Sequence, residues 1–235
     1  RNGRAERRIR PSETRFQKRH SRAGGNGLPA LKPHTKHTNA PSRRQSPTMK
    51  RTLSAAEKGR LKTHLRRGGL IAYPTESCYG LGCLPRHAKA LRTLVHLKRR
   101  PQHKGMIVIG DSLARLRPLL RPLPESDAAA LHNIWPARET FLLPATSGLP
   151  PLLRGKGRGK LAVRVPDHAA ARDLCRLLGT PLVSTSCNRA GKRPCRSGRE
   201  TRRQFGRSVR IVGGRCGQSK TPSRITDWAT GKRLR

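Results

Sequence analysis

Leu70-Ile71-Ala72-Tyr73 runs straight into Pro74-Thr75-Glu76-Ser77-Cys78-Tyr79-Gly80-Leu81-Gly82, and the reading of this stretch sets the fold. Four residues with no polar alternation, entered from Gly68-Gly69 and stopped by Pro74, predict a short strand buried on both faces. Upstream, Ser54-Ala55-Ala56-Glu57 carries the spacing of a capping box, and Leu53, Leu61 and Leu65 supply an apolar side; a helix therefore precedes the strand. Downstream the alternation continues. Helices are expected over 86–98, from Asp111 to about 120, over 126–134, from Asp167 to a stop at Gly179, and over 199–205. Strands are expected at 106–109, 140–143, 161–165, 181–185 and 208–212. Strands alternating with helices give an α/β domain, a twisted and mostly buried sheet flanked by helices.

The charge is extreme: 53 Lys and Arg face 12 Asp and Glu among 235 residues, a formal +41. Such an excess attracts polyanions, so nucleic acid is the expected macromolecular partner class. A membrane partner is not expected, because no run of ~18 apolar residues occurs. Residues 1–48 hold 13 of the basic residues against Glu6 and Glu13, with no apolar period. They read as a basic, disordered extension. The patterned domain spans 49–235, opening at Met49. The six cysteines form no C-x-x-C pair, so reduced thiols and a cytoplasmic location are expected, with no metal site.

Three segments carry polar chemistry next to predicted strands. Thr75 and Glu76 sit at a strand's carboxyl end, where ligands of α/β sheets bind. Lys98-Arg99-Arg100-Pro101 and Lys104-Gly105 place cations between a helix and a strand, suited to phosphates or carboxylates, although a chain this basic produces such clusters by chance. Ser184-Thr185-Ser186-Cys187-Asn188 ends another strand with hydroxyls and an amide, able to orient ligands or simply to cap a turn. Cys187 has no His or Asp nearby in sequence to activate it.

Together, Pro74-Thr75-Glu76, Tyr79-Gly80-Leu81-Gly82, Lys98-x-Arg100-Pro101, Lys104-Gly105, Trp135-Pro136, Leu161-Ala162-Val163-Arg164-Val165, Ser184-Thr185-Ser186-x-Asn188 and Pro222-Ser223 resemble the YrdC-like (TsaC) family of threonylcarbamoyl-AMP synthases. The resemblance runs from about residue 51 to 231. It implies a sheet around a basic concave cleft. It also implies synthesis of threonylcarbamoyl-adenylate and pyrophosphate from L-threonine, bicarbonate and ATP. Other, threonylcarbamoyl-transferring proteins then modify the adenosine beside the anticodon of tRNA.

By motif position, Thr75, Arg164 and Ser223 would bind threonine. Lys98, Arg100, Ser186 and Asn188 would bind the nucleotide and carry the catalysis, with Arg196 adding a phosphate contact. ATP is a substrate; Mg²⁺ would be held mainly by the nucleotide, since no acidic cluster is available. With Lys98 read as a surface cation, its replacement should leave the fold intact. The family pattern Trp-Pro-Gly-Pro-x-Thr appears here as Trp135-Pro136-Ala137-Arg138-Glu139-Thr140, which alters the backbone freedom of that turn. The competing reading is a non-enzymatic protein that binds tRNA or double-stranded RNA through the basic surface.

Overall fold

The computed structural model describes residues 53–101, 103–155 and 157–235; the expected extension over 1–48 lies outside them. The capping box forms as read. Ser54 Oγ accepts from Glu57 N (3.2 Å), Glu57 Oε2 accepts from Ser54 N (2.9 Å), and helix α1 follows over Ala55–Arg66. Strand β1 (Ile71–Pro74) then enters the sheet with all four residues buried.

The next element differs from expectation. Tyr79–Gly82 is a second strand, β2, antiparallel to β1, so the Thr75–Cys78 segment is the tip of a hairpin. Two glycines in four residues hide a strand from propensity, because glycine is depleted in strands. Here they mark close approach. A Cβ on Gly82 would lie 2.4 Å from Val183 O and 2.9 Å from the Tyr73 ring.

The remaining elements are α2 (Ala88–Lys98), β3 (Ile107–Ile109), α3 (Leu113–Leu116) running into a 3₁₀ turn (Arg117–Leu119), α4 (Glu125–Ile134), β4 (Glu139–Pro144), α5 (Pro151–Arg154), β5 (Lys160–Arg164), α6 (Ala169–Leu178), β6 (Leu182–Ser186), α7 (Gly198–Phe205), β7 (Arg210–Ile211) and β8 (Arg224–Asp227). The strands form one mixed sheet in the order β7-β1-β2-β6-β3-β5-β4-β8. Strand β8, missed in the sequence, pairs in parallel with β4. Its Arg-Ile-Thr-Asp has a single apolar residue, too little for a period. Two caps also shift by one residue. Ser112, not Asp111, caps α3, and His168 occupies the α6 cap position while the Asp167 carboxylate lies 4.0 Å from Arg172.

Period-2 alternation divides the core. Ile71, Tyr73, Ile109 and Leu182 face α1 and α6, packing with Leu61, Leu65, Leu174 and Leu178. Ala72, Val108 and Val183 face the opposite way, into the larger core with Leu91, Leu94 and Leu116. Along the α1–α6 face, two residues beyond the covered positions, come Thr75, Ile107 and Ser184, and these line a cavity. The site is thus the part of that sheet face that the two helices leave open.

Candidate functional site

The cavity has a volume of about 440 Å³. Its wall takes side chains from the hairpin tip, from β5 and β6, and from residues 220–223. Six cations line it (Arg100, Arg138, Arg164, Arg196, Lys220 and Arg235) against one carboxylate, Glu76. That imbalance suits a ligand with several negative charges and at most a local positive one. A second cavity of about 560 Å³ adjoins it and shares Arg100, Ile107 and Arg235.

At one end, Arg164 at the close of β5 points its Nη2 to Glu76 Oε2 at 3.2 Å, both side chains about 8% exposed. The pair leaves two buried polar atoms without protein partners, Glu76 Oε1 and Arg164 Nε. Buried groups of this kind are costly unless something pairs with them. Beside them Thr75 is buried, its Oγ1 donating to Cys78 O at 2.7 Å, which leaves its lone pairs free to accept. Ser223 is also buried, with its Oγ 2.9 Å from Thr140 Oγ1.

At the other end, α2 stops at a residue in the left-handed region, Arg99 (φ 52°). The reversal separates its two neighbours. Arg100 reaches the cavity wall, with Nη2 donating to Gly105 O at 2.7 Å. Lys98 is buried and turns to the loop after β6, its Nζ donating to Ser186 O, to Asn188 O (2.7 Å) and to Asn188 Oδ1 (3.3 Å). Ser186 Oγ donates to the same Oδ1 at 2.7 Å, and Asn188 Nδ2 donates to Arg189 O and Lys192 O. Burial first, and the neighbouring Arg100 cation second, push Lys98 down to about 8.

Of the residues picked out in the sequence, Thr75, Arg100, Arg164, Ser186, Arg196 and Ser223 line the one cavity. Lys98 and Asn188 do not. They are bonded to each other behind Ser186, so Lys98 is a buried cation rather than a surface one, and its replacement bears on the fold. Cys187, also buried, has its thiol pushed well above the usual range by burial, which keeps it protonated. Sequence reasoning missed Arg138, Lys220 and Arg235, because single cations carry no signal in a chain with 53 of them. The altered turn is held with Ala137 and Arg138 following Pro136: Ala137 N donates to Val165 O (3.0 Å) and Trp135 Nε1 to Glu139 O (3.2 Å).

Comparison with known proteins agrees with this arrangement. The Sua5/YciO/YrdC family, described under telomere recombination, matches residues 63–235. A threonylcarbamoyl-AMP synthase of Neisseria gonorrhoeae is 65% identical over 185 residues, covering 79% of this chain and 98% of the relative. The crystal structure of P. abyssi Sua5 complexed with L-threonine superposes with a TM-score of 0.69 at 26% identity, over 78% of this chain and 54% of that one. The chain therefore spans about half the length of that Sua5 protein. E. coli YciO gives a TM-score of 0.65 at 26% identity, over 78% of this chain and 89% of its own. With the match running across nearly all of the described residues, the chain belongs to the Sua5/YciO/YrdC family.

Proposed function

We propose that the chain is a threonylcarbamoyl-AMP synthase, forming threonylcarbamoyl-adenylate and pyrophosphate from L-threonine, bicarbonate and ATP. The observation that carries this reading is 65% identity across 98% of a relative bearing that name. The cavity supports it: zwitterionic threonine, bicarbonate and a triphosphate suit six cations and one carboxylate. The identity also gives the purely RNA-binding reading no support.

At the Arg164 end, the arginine takes the threonine carboxylate and Glu76 Oε1 takes the ammonium. Thr75 and Ser223 accept or donate to the remaining polar atoms. The ammonium gives up one proton to solvent, and the free amine attacks the bicarbonate carbon; the bicarbonate hydroxyl leaves with an N–H proton as water, and a carbamate forms. A carbamate oxygen then attacks the α-phosphorus of ATP, and the bond to the β-phosphate oxygen breaks as pyrophosphate leaves. No covalent enzyme intermediate is needed, so positioning and charge neutralisation carry the catalysis. Arg100, Ser186 and Arg196 contact phosphate oxygens. Lys98 and Asn188 fix Ser186 from behind, and Lys98 adds a positive charge through the turn.

Among the described residues no group of three or more His, Cys, Asp or Glu side chains converges. This donor set fits magnesium carried in on the nucleotide's own phosphates, where it would offset their charge. We further read the enzyme as cytoplasmic, passing its adenylate to transferases that modify tRNA, with tRNA or other RNA drawn to the basic surface. The test follows pyrophosphate release by the chain with ATP, Mg²⁺ and bicarbonate. Release dependent on both threonine and bicarbonate supports the reading; release indifferent to threonine overturns it.

A further inference from the structure

Three consecutive residues where β4 begins, Arg138, Glu139 and Thr140, hold three residues of the adjacent segment that leads into β8. Arg138 donates through Nη2 to both Thr221 O (3.1 Å) and Thr221 Oγ1 (2.9 Å). Glu139 Oε1 lies 2.6 Å from Arg224 Nε, and Thr140 Oγ1 lies 2.9 Å from Ser223 Oγ. The last two contacts accompany the parallel pairing of β4 with β8, in which Glu139 faces Arg224. The Arg138 contact lies outside that ladder.

The segment's other anchor is the hairpin tip. Gly217 N donates to Thr75 O (2.9 Å) and Ser219 N to Glu76 O (3.1 Å). A Cβ on Gly217 would meet Glu76 O at 2.7 Å, so the two backbones are in direct contact. Between these anchors lie Lys220, Thr221 and Pro222, all lining the cavity. Pro222 has no N–H to offer a neighbouring strand. Among the described residues, the hydrogen bond Thr221 keeps without Arg138 is within its own segment, from Ser219 Oγ to Thr221 O.

We propose that Arg138 is a positioning residue that latches residues 220–222 over the amino-acid end of the cavity and so sets the affinity for threonine. The segment it holds is anchored on Thr75 and Glu76 and leads directly into Ser223, the residues assigned above to threonine. Of the residues assigned to the nucleotide, Arg100 and Ser186 share no hydrogen bond with the segment among the described residues, and Arg196 touches it at the hairpin anchor, Nη2 donating to Gly217 O (3.3 Å), rather than at the Arg138 latch. The link to threonine rests on the synthase reading; the latch itself does not.

The test compares the full chain with Arg138→Ala, Arg138→Lys, Thr221→Val and the double variant Arg138→Ala/Thr221→Val. Steady-state kinetics are measured in threonine and in ATP, alongside amide hydrogen exchange over residues 217–224 without substrates. Losing a charge-assisted pair of bonds is expected to raise the threonine KM about tenfold, with kcat and the ATP KM altered less than about twofold. Arg138→Lys, which keeps a charged donor, should recover part of the loss. The double variant should be no worse than Arg138→Ala alone, as coupled partners behave. Exchange over 219–223 should rise in Arg138→Ala.

An ATP KM that rises with the threonine KM unchanged would overturn the proposal in favour of direct nucleotide contact by Arg138. Fully multiplicative effects in the double variant would also overturn it. Should the unsubstituted chain show no threonine-dependent pyrophosphate release, the synthase reading falls on its own. Unchanged exchange in Arg138→Ala would still reject the latch.

Discussion

Replacing Lys98 with methionine tests the interior side of the site while keeping most of the side chain's volume. Lys98 Nζ serves three oxygens, but their losses are unequal. Ser186 O also accepts from Asn188 N at 2.9 Å, and Asn188 Oδ1 also accepts from Ser186 Oγ at 2.7 Å. Asn188 O is the one acceptor whose donor, at 2.7 Å, is not duplicated. Leaving a buried acceptor unpaired costs about 1–3 kcal/mol, and Asn188 is only half-buried, so the lower end applies. Against this, the ammonium pays for its own burial, visible in the depression of Lys98 to about 8. Net destabilisation should therefore be modest, about 1–2 kcal/mol, or a few degrees in Tm for a domain of this size. The functional loss should be larger. Removing one preorganised electrostatic contributor lowers turnover by about 10²-fold, and nucleotide affinity should weaken as well. Thermal unfolding, calorimetric titration with a non-hydrolysable ATP analogue, and pyrophosphate release measure the three quantities. A folded Lys98→Met protein with unchanged nucleotide affinity and turnover would refute the role given to this cation.

Other outcomes follow from the same geometry. Because Lys98 loses its proton near pH 8 in the folded chain and near 10.5 when unfolded, the unfolded state binds more protons between these values. This group's contribution to stability should thus rise with pH across that window, while affinity for the ATP analogue falls above about pH 8; Lys98→Met should flatten both curves. Gly82→Ala places a Cβ 2.4 Å from Val183 O, a backbone clash inside the sheet that should cost about 1–3 kcal/mol or more in chemical denaturation. Glu76→Gln should raise the threonine KM about tenfold or more through loss of the ammonium's partner, with nucleotide affinity held; a raised ATP KM alone would contradict the placement of threonine at that end.

Much of the scaffold is legible where local physics is decisive. The capping box at Ser54, the unbroken Leu70–Tyr73 run and the stop at Gly179 each state their element, and each forms. Strand β2 is hidden because its glycines are selected by close packing against Tyr73 and Val183, a tertiary cause absent from any local pattern. Strand β8 is hidden because it is short, mostly polar and stabilised by pairing with β4. The site divides in the same way. Hydroxyls and amides at strand ends announce Thr75 and Ser186, since such residues stand out after apolar runs. The cations do not announce themselves. Whether Lys98 turns inward and Arg100 outward depends on the left-handed turn at Arg99, and the contact of Arg138 with Thr221 joins residues 83 positions apart.

The central claim is a reaction that places a bicarbonate carbon between threonine and AMP. Incubating the chain with L-threonine, Mg-ATP and ¹³C-labelled bicarbonate, then resolving the nucleotide products by mass spectrometry, tests it directly. The account predicts an adenylate with the mass of threonylcarbamoyl-AMP carrying one ¹³C, formed together with pyrophosphate and absent when threonine is omitted. An adenylate of threonine without the labelled carbon, or no adenylate from a folded protein that binds ATP, would contradict it.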